Sequence, residues 1–451
     1  VLAPLLFSCE DKESVDYAVI SGEIINSDVE EFSISSLDGK FIKEISIKEN
    51  GNFRDTLKIN QEGIYRIVHG KSGSNIFLDK GYVLQINYDA EEMLNSIVFS
   101  GDGKEFNQYI QDARKVWDEI QGDDIEAFYH LKKVDFKEKI IEIQEVQEKL
   151  LSSVSNIPES LREREKRNIG YFGIAMLQVY DQLPKNEEKF KTEDYADVFE
   201  NYPNIDYANE NDFEYSIFYK GLVRKHYNKK TEELAKRNDL DEIQAFFKVI
   251  NKIPNEKIQN DLLYNRVYRE ITYTDDIDGL YEQYMEISTD ENYKKEITDS
   301  YKKLKKITKG QPSPKFVDYE NHSGGKTSLD DLKGDYVYID VWATWCGPCL
   351  NEIPALKKLE EEYEDNNIKF VSISVDERQD YEKWKQMVTD KDLKGVQLIA
   401  DDAWQSDFIQ GYQIKGIPRF ILLDPEGNIV TSRAPYPSDK NLIKLFEEQG
   451  I

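Results

Sequence analysis

Between residues 336 and 449 short apolar runs alternate with segments whose apolar residues recur every three or four positions. The runs 336–342, 368–375, 396–400, 418–424 and 428–431 predict strands, and the intervening patterns predict helices over 349–364, 379–390, 403–410 and 439–448. In the first helix Ile353, Leu356, Leu359 and Tyr363 share one face. Asp424 to Asn428 reads as a hairpin turn between the last two strands. The order is a β-α-β unit, then a hairpin and a terminal helix.

Upstream the pattern changes twice. Residues 17–104 carry short, partly alternating runs: Val19-Ile20, Glu23 to Ile25, Phe32 to Ile34, Ile42 to Ile47, Phe53 to Ile59 and Tyr65 to Ile67. Glycine-containing turns separate them, and such spacing predicts a small antiparallel β-sandwich. Residues 105–308 read as a helical domain. Phe106, Tyr109, Ile110, Ala113, Val116, Trp117 and Ile120 keep helical spacing, as do Ile243, Phe246, Phe247 and Ile250. Lys and Glu alternate on the other faces, as on solvated helices. The tyrosines of this region are expected to pack between helices. The expected organisation is therefore multidomain: 1–16 a tether, 17–104 an antiparallel β-sandwich, 105–308 an α-helical domain and 309–451 an α/β domain.

Bulk composition narrows the partners. A formal net charge of −28 over 451 residues argues against nucleic acid and against peripheral attachment to anionic lipid. The simplest meaning of that charge is solubility. Three cysteines rule out a disulfide scaffold. The four histidines (His69, His130, His226, His322) are scattered, and none pairs with another at metal-ligand spacing, so neither a metal nor a cofactor is expected.

Two of the cysteines stand in Trp345-Cys346-Gly347-Pro348-Cys349, where a strand pattern gives way to a helix pattern. Cys346 should therefore lie at a helix N-terminus. Unpaired backbone N–H groups and the helix dipole there favour an anion, which lowers the pKa of a thiol. Cys349, one turn on, is placed to close a short disulfide with Cys346. Thiol–disulfide exchange is the chemistry this arrangement specifies. A structural disulfide and half a zinc site are the bland alternatives; the second lacks further ligands nearby.

With these motifs, residues 311–451 resemble the thioredoxin-like proteins of the TlpA/ResA group, which work in bacterial envelopes. Several positions carry the resemblance. Asp340 stands six residues before Cys346, where thioredoxins carry a buried acid. Glu352 stands three after Cys349, where ResA-like members carry an active-site glutamate. Pro354 falls where the active-site helix is usually kinked. Gly416-Ile417-Pro418 matches the loop whose cis-proline faces the disulfide, and Gly310 to Phe316 looks like the family's entry strand. The resemblance implies a thioredoxin fold with an extra hairpin at 315–329. It also implies a redox pair Cys346–Cys349, proton transfer by Asp340 or Glu352, and substrate docking at Ile417-Pro418. Trp342, Trp345, Gly347 and Pro348 form the expected shell. Strand alternation points Asp340 inward, and burial should raise its pKa. Protein disulfides are the implied substrates, and a membrane thiol-disulfide donor the implied partner.

Residues 17–104 look, more weakly, like the β-domain that often precedes TlpA-like domains in envelope lipoproteins. Leu6-Phe7-Ser8-Cys9, apolar and followed at once by polar residues, resembles a lipobox. It implies lipidation of Cys9 and a periplasmic-side tether rather than a membrane span. Three rival readings stand beside the reductase. One is a peroxidase on the same fold, although peroxiredoxins place a threonine three residues before their cysteine. Another is an oxidase or isomerase using the same pair. The last is a tethered binding or assembly lipoprotein whose main function lies in 17–308.

Overall fold

The computed structural model describes residues 15–451, apart from single positions 38, 40, 60, 185, 187, 203 and 275. Cys9 lies outside the described residues. Two compact units divide the chain. One runs to Val249 and takes in Ile253–Ile258; the other comprises Ile250–Lys252 and Gln259–Ile451.

The first unit opens with eight strands: β1 (Tyr17–Ile25), β2 (Glu31–Ser36), β3 (Ile42–Ser46), β4 (Asn52–Lys58), β5 (Gly63–His69), β6 (Ser72–Leu78), β7 (Val83–Asp89) and β8 (Val98–Gly101). They form two four-stranded sheets, β4-β1-β7-β8 and β3-β2-β5-β6. Alternation decides which side chains go inside. Ala18, Ile20 and Ile24 of β1 meet Phe32 and Ile34 of β2 and Ile67 of β5 in one buried cluster, so both sheets feed a single core. The expectation of purely antiparallel pairing is corrected at one ladder, because β1 and β7 run parallel. A parallel pair needs a long crossover, and here the chain from β2 to β6 supplies it. Gly22 permits the close approach, since a Cβ there would collide with the Ile86 carbonyl of β7.

Helices follow, beginning with Lys104–Gln121. Two amides on this helix, four residues apart, line the edge strand β6. Asn107 accepts from Phe77 N (2.7 Å) and donates to Phe77 O (3.0 Å), while Gln111 donates to Asn75 O (2.7 Å). They satisfy backbone groups that an open edge would otherwise offer to another strand. Several tyrosines of this region pack as expected: Tyr109, Tyr171, Tyr180, Tyr215 and Tyr219 are all buried. Tyr109 and Tyr215 both donate to the buried carboxylate of Glu165. Among the described residues no helix is long and apolar enough to cross a membrane.

The second unit holds the helices Ile277–Ile287 and Glu291–Leu304 and the part of Glu256–Glu270 from Gln259 on. It also holds a seven-stranded sheet of β9 (Tyr319–Asn321), β10 (Lys326–Thr327), β11 (Tyr336–Trp342), β12 (Ile368–Ser374), β13 (Val396–Ile399), β14 (Arg419–Leu423) and β15 (Ile429–Thr431), in the order β10-β9-β13-β12-β11-β14-β15. β11, β12 and β13 are parallel neighbours, and β14 returns antiparallel beside β11. β9 and β10 form the extra hairpin. The central strand β11 is buried on both faces, which is why it reads as a continuous apolar run. The expected boundary at 308 separates helices from strands, whereas the compact units part near 250–259.

Candidate active site

The helix Gly347–Glu362 begins where β11 ends, and Cys346 is its N-cap. Cys346 and Cys349 are joined in a disulfide, with Cα atoms 5.3 Å apart. The Cys349 N–H points at Cys346 Sγ (3.2 Å), so an otherwise unpaired N-terminal donor of the helix is aimed at that sulfur. Both cysteines are 4% exposed, while Trp345 is 51% exposed and Gly347 and Pro348 also face solvent. Trp345 leans toward Trp404, ring centroids 6.4 Å apart. Pro354 lies inside the helix.

The turn from β11 into the cysteines is pinned by a buried acid. Asp376 accepts from Thr344 N (3.2 and 3.0 Å), from Thr344 Oγ1 (2.8 Å) and from Ser374 Oγ (2.6 Å). Trp342 pairs with Ser374 across β11 and β12, which brings Asp376 level with that turn.

Asp340 lies two residues before Trp342 on β11, on the strand face turned toward the helix Gly347–Glu362. It shares a small pocket with Trp342, Cys349, Ile353, Glu360 and Lys394. The carboxyl is buried and its Oδ1 makes no hydrogen bond. Burial, then the carboxylates of Glu360 and Glu352, push its pKa up to about 8. Glu360 is itself raised to about 7 by burial, against the opposing pull of Lys357 and Lys394. Glu352 accepts from Ser438 N (3.0 Å) and Ser438 Oγ (2.9 Å), in the loop before the last helix. The Ile417–Pro418 peptide bond is cis. Val341 pairs with Arg419, so Pro418 stands immediately before the last pair of the β11–β14 ladder.

The C-terminal part of the chain is similar to known proteins. Residues 308–444 match the family model described as Redoxin. The thioredoxin-like protein YneN of Bacillus subtilis is 36% identical over 124 residues, which span 27% of this chain and 69% of YneN. The thiol-disulfide oxidoreductase ResA of Bacillus cereus is 30% identical over 125 residues, 28% of this chain and 69% of ResA. The chain belongs to the ResA-like thiol-disulfide oxidoreductases. A solution structure of a putative thiol-disulfide oxidoreductase from Bacteroides vulgatus is 48% identical, covers 32% of this chain and 93% of its own, and has a TM-score of 0.28.

In this ResA-like protein the residues expected from sequence gather unevenly. Cys346, Cys349, Asp340 and Trp342 come together. Ile417 and Pro418 immediately precede Arg419, which pairs with Val341 on the same strand as Asp340 and Trp342. Glu352 contributes to the field at Asp340, but its hydrogen bonds go to Ser438. Two acids escaped the sequence reading. Asp376 carries no local signal, because its role depends on the β11–β12 register. Glu360 sits in a Lys- and Glu-rich run that reads as a solvated face. Its spacing from Ile353 and Leu356, seven and four residues, nevertheless sets it on the apolar stripe.

Proposed function

We propose that the chain reduces disulfides in protein substrates outside the cytoplasm, through Cys346 and Cys349. The observation that carries this reading is the Cys346–Cys349 disulfide at a helix N-terminus, with the pocket of the buried Asp340 behind Cys349. In the reduced pair, the helix N-terminus and the Cys349 N–H stabilise a Cys346 thiolate. That thiolate attacks one sulfur of a substrate disulfide. A Cys346–substrate bond forms, and the second substrate sulfur leaves as a thiolate that takes a proton from water. Asp340, poised near pH 8, takes the proton of the Cys349 thiol. The Cys349 sulfur then attacks Cys346 Sγ, the mixed disulfide breaks, and the substrate departs with both its sulfurs reduced.

Two electrons pass from the cysteine pair to the substrate in each cycle. A dithiol donor must return them, and a membrane thiol-disulfide transporter suits a tethered protein. The backbone at Ile417 supports an extended substrate segment beside Cys346. A lipid anchor at Cys9 would hold the protein at the envelope.

The test is insulin reduction by the full chain with dithiothreitol as donor. Precipitation of the insulin B chain well above the thiol-only rate is expected, with no peroxide consumption above that of Cys346→Ser. Peroxide turnover without insulin reduction would favour the peroxidase instead.

A further inference from the structure

The loop that carries Ile417-Pro418 is held from behind by residues that lie outside the Redoxin match. Four of its positions are tied to the helical segment within the same compact unit. Gln413 Oε1 accepts from Ser300 Oγ (3.3 Å). Lys415 Nζ donates to Ser300 Oγ (3.0 Å) and to Tyr268 O (3.3 Å), and lies over the Tyr268 ring. Gly416 O accepts from Tyr273 Oη (3.0 Å). Arg419 Nη2 donates to Thr272 O (2.7 Å), and its guanidinium stands 4.5 Å from the centre of the Tyr273 ring.

Tyr273 is the pivot of this clamp. Its hydroxyl holds the carbonyl one residue before Ile417, and its ring holds the arginine one residue after Pro418. A Cβ at Gly416 would lie 2.7 Å from that hydroxyl, so glycine is what allows the contact. Tyr273 remains 44% exposed, so the ring is also surface beside the loop. The Gly416 carbonyl lies at the loop surface, where water could serve it equally well. The bond to Tyr273 therefore does more for the direction of the loop than for burial of a polar group.

We propose that Tyr273 is a substrate-positioning residue of the Cys346–Cys349 site. It fixes the backbone at Ile417 that an extended, cysteine-bearing protein segment would meet. The proposal rests on the functional reading above. It further assigns selectivity for protein disulfides over small ones to a helical segment outside the thioredoxin-like sequence. A small disulfide needs the sulfurs and little else. A protein substrate must also pair along the loop, so loosening the loop weakens the second interaction alone.

The experiment compares full-length wild type, Tyr273→Phe and Tyr273→Ala on two substrates, insulin and 5,5′-dithiobis(2-nitrobenzoate). Tyr273→Phe removes the hydroxyl and keeps the ring over Arg419. It is expected to raise KM for insulin about 3- to 10-fold, the worth of one hydrogen bond, with kcat within about twofold. Reduction of the small disulfide and the reduction potential of the pair should stay unchanged. Tyr273→Ala should show the same split, enlarged. Equal losses on both substrates, or no change in either variant, would overturn the proposal while leaving the reductase reading intact. A wild type inactive on both substrates would remove that reading, and this proposal with it.

Discussion

Cys349→Ser is expected to accumulate a stable mixed disulfide with substrate protein, whereas Cys346→Ser forms none and loses turnover entirely. The asymmetry follows from the helix. Cys346 is the N-cap, with a backbone N–H aimed at its sulfur, so the proposed mechanism makes it the sulfur that carries charge and attacks. Cys349 lines the pocket it shares with Asp340, and in the proposed mechanism it breaks the bond that Cys346 makes. A serine at 349 has no sulfur with which to do so. The covalent adduct should be visible on a non-reducing gel and should collapse with dithiothreitol. Trapping through Cys349 in the Cys346→Ser variant would reverse the assigned roles.

Asp340→Asn is expected to stabilise the oxidised protein while slowing its chemistry. Burial raises the folded-state pKa to about 8 from the ordinary 3.8, so the folded chain keeps a proton that the unfolded chain releases. Stability conferred by that proton is complete below the unfolded value and is lost as pH rises through the folded value. Asparagine has no proton to lose. The variant should therefore gain about 2–4 kcal/mol over wild type at pH 7–8, allowing for an imperfectly paired amide. The gain should shrink toward zero near pH 4. In kinetics, breakdown of the mixed disulfide should slow, and its rate profile should lose the inflection near pH 8. Urea unfolding at several pH values reads the first effect and stopped-flow the second. An unchanged pH dependence of stability would mean that the Asp340 carboxyl is not held protonated by burial.

These two effects share a cause. A buried carboxyl without a hydrogen bond at Oδ1 is costly to fold, and it is retained on the strand that feeds the cysteines. Stability given up at one position and chemistry supplied at the next is the pattern expected of a functional site.

Much of the thioredoxin-like unit was legible because its strands are buried on both faces and its helices on one. The run 336–342 and strand β11 coincide, and the spacing of Ile353, Leu356 and Leu359 marked the helix that Cys346 caps. What stayed hidden depends on which strands pair. Parallel pairing of β1 with β7 cannot be read from alternation, which is identical in either direction. The runs recognised in the first sheets also stopped short of β6, β7 and β8. In β6, Gly73, Ser72 and Ser74 dilute the apolar signal. The helices expected at 379–390 and 403–410 each begin with a 3₁₀ turn, which shares their composition and differs only in hydrogen bonding.

Residues that act at a distance were the least legible. Thr344 and Asp376 are 32 positions apart, and Tyr273 and Gly416 are 143 apart. Glu352 shows the reverse case. The resemblance placed it in the active site, yet its carboxylate is engaged by Ser438 and reaches Asp340 only through its field.

The reduction potential of the Cys346–Cys349 pair in the full chain, measured by equilibration with glutathione, decides in which direction electrons pass between this protein and its substrates. Here the Cys349 N–H meets Cys346 Sγ, and the acid behind Cys349 is held protonated by burial and brings no positive charge to either sulfur, so thiolate is only modestly stabilised and the disulfide is the favoured form. A value near the ~−270 mV of thioredoxin is expected. A value near the ~−120 mV of strongly oxidising members would contradict it, because electrons would then flow from substrate to this pair.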